Sequence, residues 1–290
     1  MFAITGITGK VGAAVARNLL AAHCPVRAVL RDRTKATPWS QLGCEIAVAD
    51  LLDTEALTAA FEGTTGVFVM LPPVFDPAPG FPEAVGFIGS LRAALALANP
   101  SKIVALSTIG ANAPQANLLN VLGRMEEAFS SLRMPVTFLR AAWFIENAAW
   151  DIAAAKTGLI ESYLQPLDHA FPMISTDDVG RLAAALLQER WTGKRAVELE
   201  GERVSPNTVA AAFAKVLGRP VRAKVVPRDQ WDRIFRAQGM KNPTPRMQML
   251  DGFNAGWIEF VDRGARARKG FIGVDRAIAT LVQAERARSA

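Results

Sequence analysis

Residues 2 to 12 constrain this chain more than any other stretch. An apolar run, Phe2-Ala3-Ile4, leads straight into T-G-I-T-G-K-V-G, Thr5 to Gly12, with the spacing Gly6-x-x-Gly9-x-x-Gly12. Val11, Val15 and Leu19 then recur on one helical face. A strand, a glycine-rich turn and a helix in that order begin a dinucleotide-binding βαβ unit. Gly6 permits the tight turn, Gly9 lets backbone approach a pyrophosphate, and Gly12 lets the helix pack close to the strand. Thr8, Lys10 and Val11 fill the turn between them and belong to the same candidate cradle. The helix start offers N–H groups and a positive dipole end to phosphate.

Strands and helices continue to alternate. Val26–Leu30, Glu45–Ala49, Gly66–Met70, Lys102–Leu106 and Val136–Leu139 read as strands. Between them, Asp53 caps a helix through Leu57 and Phe61, Gly86–Ala98 reads as an apolar helix, and residues 124–132 form another. Pro72 to Pro82 carries five prolines and reads as a loop, mobile enough to act as a switch. The alternation predicts an α/β fold: a Rossmann doubly wound parallel sheet with helices on both faces. The second half is less regular. It contains helices after Ser175, after Ser205-Pro206 and over Asp229–Ala237, and strands near Ala196–Leu199 and Val221–Val226. The expected division is a Rossmann domain over 1–150 and 176–201. Residues 151–175 and 202–290 would form a smaller, partly discontinuous C-terminal α/β domain for substrate or partner.

Composition excludes several classes. No apolar run is long enough to span a membrane, and Met1 leads directly into the first strand, so a cytoplasmic chain without a signal peptide is expected. Cys24 and Cys44 make no disulfide framework and read as buried thiols. Two histidines far apart predict no metal site. The net charge is +6, with Arg263, Arg266, Arg268, Lys269, Arg276, Arg286 and Arg288 crowded near the end. They read as a solvated helical face, and no motif supports nucleic-acid binding.

Ligands of such sheets lie beyond the carboxyl ends of the strands. The residues to read are therefore Arg31 to Lys35, Asp50 and Leu51, Leu71 and Pro72, Ser107 and Thr108, and the stretch through Phe144 and Asn147. NAD-binding units place an acid at the end of the second strand, to bond ribose hydroxyls. This chain reads Arg31-Asp32-Arg33-Thr34-Lys35 there. A guanidinium fork at Arg31, with Arg33 behind it, suits a 2′-phosphate, which favours NADP(H) over NAD(H). An inward Asp32 would argue for NAD. Asp50 has two readings, facing an adenine amino group or capping a helix.

The segments T-G-I-T-G-K-V-G, V-L-R-D-R-T-K-A, I-V-A-L-S-T-I-G, F-L-R-A-A-W-F-I-E-N and I-S-T-D-D-V-G-R-L-A-A-A resemble NmrA-like proteins. These are atypical short-chain dehydrogenase/reductase relatives that include type 2 quinone oxidoreductases and NADP-sensing regulators. The resemblance implies NADP(H) along Gly6 to Gly12, Arg31, Asp50 and Leu71. It puts the nicotinamide end near Ser107, Thr108 and Trp143 to Asn147. The departures concern catalysis. Fully active short-chain dehydrogenases carry Tyr-x-x-x-Lys, whose tyrosine delivers a proton. The single tyrosine here is Tyr163, and Leu167 stands four residues on. NmrA-like relatives keep a Lys or His four residues before the position of Glu126, and that residue is Leu122. Arg124 stays protonated and makes a poor acid.

Ser107 remains the candidate catalytic hydroxyl, able to bond a carbonyl or quinone oxygen. Thr108 reads more readily as a strand-end hydroxyl satisfied by local backbone. Phe75, Trp143, Phe144 and Tyr163, with Phe81 and Phe171, are candidates for an apolar pocket. His169 follows Asp168 and joins the pocket candidates, although a surface or packing histidine is the favoured reading. Two functions fit: an NADPH-dependent reductase of a quinone-like or other small apolar acceptor, and a non-catalytic NADP(H)-sensing protein that binds a regulatory protein partner. A homodimer is compatible with either.

Overall fold

The computed structural model describes residues 1–289. In chain order, the first half runs β1 (Phe2–Ile4), α1 (Lys10–Ala21), β2 (Val26–Leu30), α2 (Thr37–Gln41), β3 (Glu45–Val48) and α3 (Thr54–Phe61). It continues with β4 (Gly66–Val69), α4 (Pro82–Ala98), β5 (Ile103–Thr108), α5 (Asn120–Ser130) and β6 (Val136–Ala141). The second half adds β7 (Trp143–Phe144), α6 (Ile152–Ala155), β8 (Leu159–Ser162), β9 (Phe171–Ile174), α7 (Thr176–Gln188) and β10 (Lys194–Glu200). Then follow β11 (Arg203–Val204), α8 (Pro206–Leu217), β12 (Arg222–Val225), α9 (Trp231–Ala237), α10 (Thr244–Asn254), β13 (Arg268–Lys269) and α11 (Val274–Ser289).

Eight strands form one sheet in the order β13-β10-β6-β5-β4-β1-β2-β3, and each pairing is parallel. The order reverses direction beside β1, which makes this a Rossmann sheet with its switch point next to the glycine loop. Strand side chains alternate between two cores. Ile4, Ala28, Phe68, Val104 and Leu139 face α1 and α7. Ala3, Val29, Val67, Ala105 and Phe138 face α3, α4 and α5. Gly180 of α7 sits where a Cβ would lie 2.3 Å from that of Ala14, so α1 and α7 meet closely.

Several boundaries differ from expectation, for local reasons. Helix α4 begins at Pro82, four residues before Gly86, because proline suits the first helical turn as well as a loop. Strand β5 runs on through Thr108, held by Ser107–Arg140 and Thr108–Ala141 register with β6. Helix α5 spans Asn120–Ser130 in place of 124–132. The basic C-terminal residues are solvated, but only Arg276, Arg286 and Arg288 ride on helix α11. Arg268 and Lys269 form the edge strand β13 instead, and Lys269 pairs with Glu200 of β10.

Two small sheets, β11-β9-β7 and β12-β8, carry the remaining helices. Secondary structure crosses the division placed at 150 and 201. Strand β7 pairs with β9, while β13 joins the main sheet. Buried Asp178 of α7 accepts the backbone N–H groups of Phe271 and Ile272, both at 2.8 Å, and so pins the C-terminal segment to the Rossmann half. Cys24 and Cys44 are free thiols. Among the described residues, no helix is long and apolar enough to cross a membrane and no cluster of metal-ligating side chains is present.

Candidate functional site

The glycine loop closes as steric reasoning requires. Gly6 takes a positive φ of 62°, and the Gly9 N–H donates to its carbonyl at 2.9 Å. A Cβ on Gly12 would lie 2.3 Å from that same carbonyl oxygen. Thr5 is buried beneath the loop. Its hydroxyl donates to the Phe68 carbonyl and accepts the Met70 N–H, which locks β1 to the end of β4. Helix α1 has Gly9 as its N-cap, with no capping side chain and no acid in the first turn. Its dipole end is thus left for an external anion. Gly6, Thr8, Gly9 and Lys10 are exposed, whereas Val11 and Gly12 are buried and shape the loop from below. These features fit a dinucleotide pyrophosphate.

At the end of β2, Asp32 turns to its own chain. One carboxylate oxygen accepts the Thr34 hydroxyl at 2.6 Å and the Thr34 N–H at 3.0 Å, capping a short 3-10 turn over Arg33–Lys35. The Thr34 bonds, with help from Lys35 and Arg31, hold this carboxyl below its ordinary pKa. Arg31, Arg33 and Lys35 are exposed and form no salt bridge among the described residues. Asp50 is exposed beyond β3 and accepts the Leu52 N–H at 2.9 Å. The cap of α3 is Asp53, bonded to the Ala56 N–H, so the capping role read for Asp50 is corrected. Leu51 and Leu71 are half-buried against the core under α3 and α4, while Pro72 is exposed.

The far end of the sheet edge brings Lys10 to the stretch after β7. The Lys10 ammonium donates to the Glu146 carbonyl at 3.3 Å, placing Phe144 and Asn147 beside the glycine loop. The Glu146 carboxylate accepts the Ser175 hydroxyl and the Thr176 N–H, fixing this stretch to the start of α7.

Ser107, the candidate catalytic hydroxyl, is bonded within the protein. It is buried, and its hydroxyl donates to Glu126 at 2.5 Å. Arg140 grips the same carboxylate through two nitrogens, at 2.9 and 2.6 Å. These bonds raise the Arg140 pKa. The added residues of β5 carry Ser107 under α5, where its hydroxyl meets Glu126. Thr108 points to the opposite face, is half-buried, and its hydroxyl has no side-chain or backbone partner among the described residues, contrary to the local satisfaction expected. Leu122 is half-buried against the core below.

The Pro72–Pro82 loop is anchored, not loose. Asp76 accepts the N–H groups of Lys241 and Asn242, Asn242 donates to the Pro77 carbonyl, and Arg124 donates to the Gly80 carbonyl while lying over Phe81.

The candidate pocket residues separate into groups. Phe75 meets Trp150 edge-on at 5.7 Å. Tyr163 packs on Phe235 at 4.9 Å and on Trp231 at 5.6 Å. The guanidinium of Arg246 lies over both Phe75 and Phe235, joining these sets. Trp143 packs against Phe253. Phe171 is core, and His169 is exposed against Phe171, outside the chain of contacts linking Phe75 to Tyr163. Asp151, next to Trp150, is pushed up to about 6 by burial. Burial likewise raises Tyr163. Asp151, Trp150 and Arg246 were not singled out by sequence, and Glu126 entered it only as a reference position. Arg246 left one signal: it shares a helical face with Leu250 and Phe253, where a cation is out of place.

Comparison with known proteins agrees with this geometry. A family model described as NAD(P)H-binding matches residues 6–190. An NAD(P)H azoreductase of Xenophilus azovorans is 28% identical over 243 residues, 83% of this chain and 82% of that protein. An NmrA-like family domain-containing oxidoreductase of Aspergillus hancockii is 47% identical over 74 residues, 24% of this chain and 22% of its own. An Escherichia coli NADPH-dependent quinone oxidoreductase, solved with NADPH, superposes with a TM-score of 0.80 at 20% identity, covering 97% of this chain and 100% of that one. The Citrobacter sp. triphenylmethane reductase complexed with NADP(H) superposes with a TM-score of 0.79 at 19% identity, over 97% and 99%. The uncapped glycine cradle and the family match lead to one assignment: this chain belongs to the NAD(P)H-binding family and has NmrA-like relatives.

Proposed function

We propose that this protein is an NADPH-dependent reductase of flat, conjugated acceptors of the quinone or azo type. One observation carries the reading: a sterically complete dinucleotide cradle shares its sheet edge with an exposed aromatic pair, Phe75 and Trp150. The azoreductase and quinone oxidoreductase relatives support this acceptor class. Arg31, which forms no ion pair among the described residues, and Asp32, committed to Thr34, support NADPH over NADH. Bound NADPH supplies a hydride equivalent. The chain's part is to hold the pyrophosphate at Gly6 to Gly12, bind the 2′-phosphate at Arg31, and orient the acceptor ring between aromatic side chains. Neither a Tyr-x-x-x-Lys pair nor a titratable residue at Leu122 is present to relay a proton. A quinone tolerates this, because its reduced oxygen is a weak base that takes a proton from water.

The test is NADPH oxidation, followed by its near-ultraviolet absorbance, across a panel of quinones, azo compounds and aldehydes. Turnover of the conjugated acceptors with little on aldehydes is the expected result. NADPH binding without oxidation of any of them would overturn the proposal. The missing proton relay favours a second reading, a non-catalytic NADP(H)-sensing protein. It requires a protein partner whose capture from a lysate changes between NADPH and no nucleotide.

A further inference from the structure

Four arginines of the described chain are half-buried: Arg27, Arg140, Arg195 and Arg246. Three have a carboxylate partner, Glu45, Glu126 and Glu189 respectively. Arg246 has none. The bond formed by its guanidinium among the described residues is to the thioether sulfur of Met240, at 3.7 Å. A guanidinium carries five N–H donors in a planar fork. The carbon at the centre of this fork lies 4.6 Å from the Phe235 ring centroid and 5.8 Å from that of Phe75. Aromatic faces attract a cation but accept few of its N–H bonds. Burial lowers the Arg246 pKa, and the Tyr163 hydroxyl offsets part of that shift.

The position of this fork relates it to the cofactor cradle. Phe75 follows β4 on the ligand edge of the sheet. Trp150 lies near the end of the stretch whose Glu146 carbonyl holds Lys10. Phe75 is 40% exposed and Trp150 63% exposed, so this aromatic pair faces solvent. The helix bearing Arg246 is tied to the same edge, since the Leu118 N–H donates to the Pro245 carbonyl.

We propose that Arg246 is an acceptor-binding residue, which takes an oxyanion substituent, a sulfonate or carboxylate, on a planar aromatic acceptor. The fork bonds two oxygens of the anion side by side while Phe75 and Phe235 flank the ring. The proposal rests on the reductase reading above, and it sharpens the substrate class from flat apolar acceptors to flat acceptors that carry a negative charge.

Binding and turnover are measured separately. Holoprotein loaded with NADP⁺ is titrated with naphthalene sulfonate and with the uncharged naphthalene methanol, read by quenching of tryptophan fluorescence. The sulfonate is expected to bind about ten- to a hundredfold more tightly, the scale of charge-assisted bonds to a fork. Arg246→Met removes that preference. Arg246→Lys keeps part of it, since charge remains without the fork. Equal affinities in the unaltered protein, or a preference that survives Arg246→Met, overturn the proposal. If Arg246→Met fails to retain NADP⁺ binding as a check of fold, the unaltered protein and Arg246→Lys decide the matter. With NADPH, a naphthoquinone and its sulfonated counterpart are then compared. The ratio of their kcat/KM values should fall at least about tenfold in Arg246→Met. A sulfonate preference in binding with no oxidation of NADPH by either quinone overturns the reductase reading and leaves the anion subsite standing.

Discussion

Ser107 donates its hydroxyl proton to Glu126 across 2.5 Å, inside the core beneath α5. Arg140 completes the unit by holding both oxygens of the same carboxylate. Replacing one member of such a buried set leaves the others desolvated and short of a partner. Ser107→Ala should therefore cost about 1–2 kcal/mol of stability. Glu126→Ala, which strands the Arg140 charge, should cost about 3–5 kcal/mol. Thermal or urea unfolding checks both. A Ser107→Ala protein of unaltered stability but lost turnover would return the hydroxyl to a catalytic role.

The glycine cradle allows no methyl group at position 12. A Cβ there meets backbone 2.3 Å away, and backbone cannot swing aside as a long side chain can. Gly12→Ala should weaken NADPH binding at least about tenfold and destabilise the fold by about 1–3 kcal/mol. Titration of NADPH fluorescence gives the first figure and unfolding the second. Binding that survives the substitution would place the pyrophosphate elsewhere.

Arg31 discriminates between the two nicotinamide dinucleotides if it meets the 2′-phosphate. Arg31→Ala should raise the Kd for NADPH by about ten- to a hundredfold, the value of a charge-assisted bond, and leave that for NADH within about threefold. Isothermal titration with both nucleotides decides it. Parallel losses would mean that Arg31 acts on the pyrophosphate or on folding alone.

Asp151 makes stability fall with rising pH. Burial pushes its carboxyl from an ordinary 3.8 up to about 6. The folded chain therefore holds a proton that the unfolded chain has released between those values. The stability linked to this group is fully present below pH 3.8 and is lost as pH rises through about 6. The loss amounts to roughly 2–3 kcal/mol. Urea unfolding from pH 4 to pH 8 should show that slope for the unaltered protein and a flatter one for Asp151→Asn. Identical slopes would show that Asp151 is solvated.

Much of the Rossmann half is legible in the chain. Its strands are buried on both faces, so they read as short apolar runs between turn signals. The core strands β1, β2, β4 and β6 lie where those runs lie. The legibility ends at strand ends and short strands. Strands β7 and β13 have two residues each and exist because a partner strand accepts them. Ser107 and Thr108 look like the turn after a strand, yet pairing with Arg140 and Ala141 keeps both in the sheet. The pocket candidates show the same limit. Phe75 and Tyr163 are joined through Arg246, while His169 packs elsewhere on Phe171.

The sequence by itself determined the cradle and the class of ligand it holds. The requirement is local and steric: three glycines within seven residues admit a backbone path that side chains would block, and a helix start follows at once. Its neighbour at Arg31 is equally local, set by the length of one βαβ unit. The tertiary structure alone decided which polar groups meet one another and which are left without a partner among the described residues. The proton of Ser107 goes to Glu126, nineteen residues on, because α5 crosses that face of the sheet. The fork of Arg246 reaches Phe75 because α10 is bonded to the same sheet edge. Such pairings depend on which distant side chains the sheet brings together, and no pattern of neighbours along the chain encodes them.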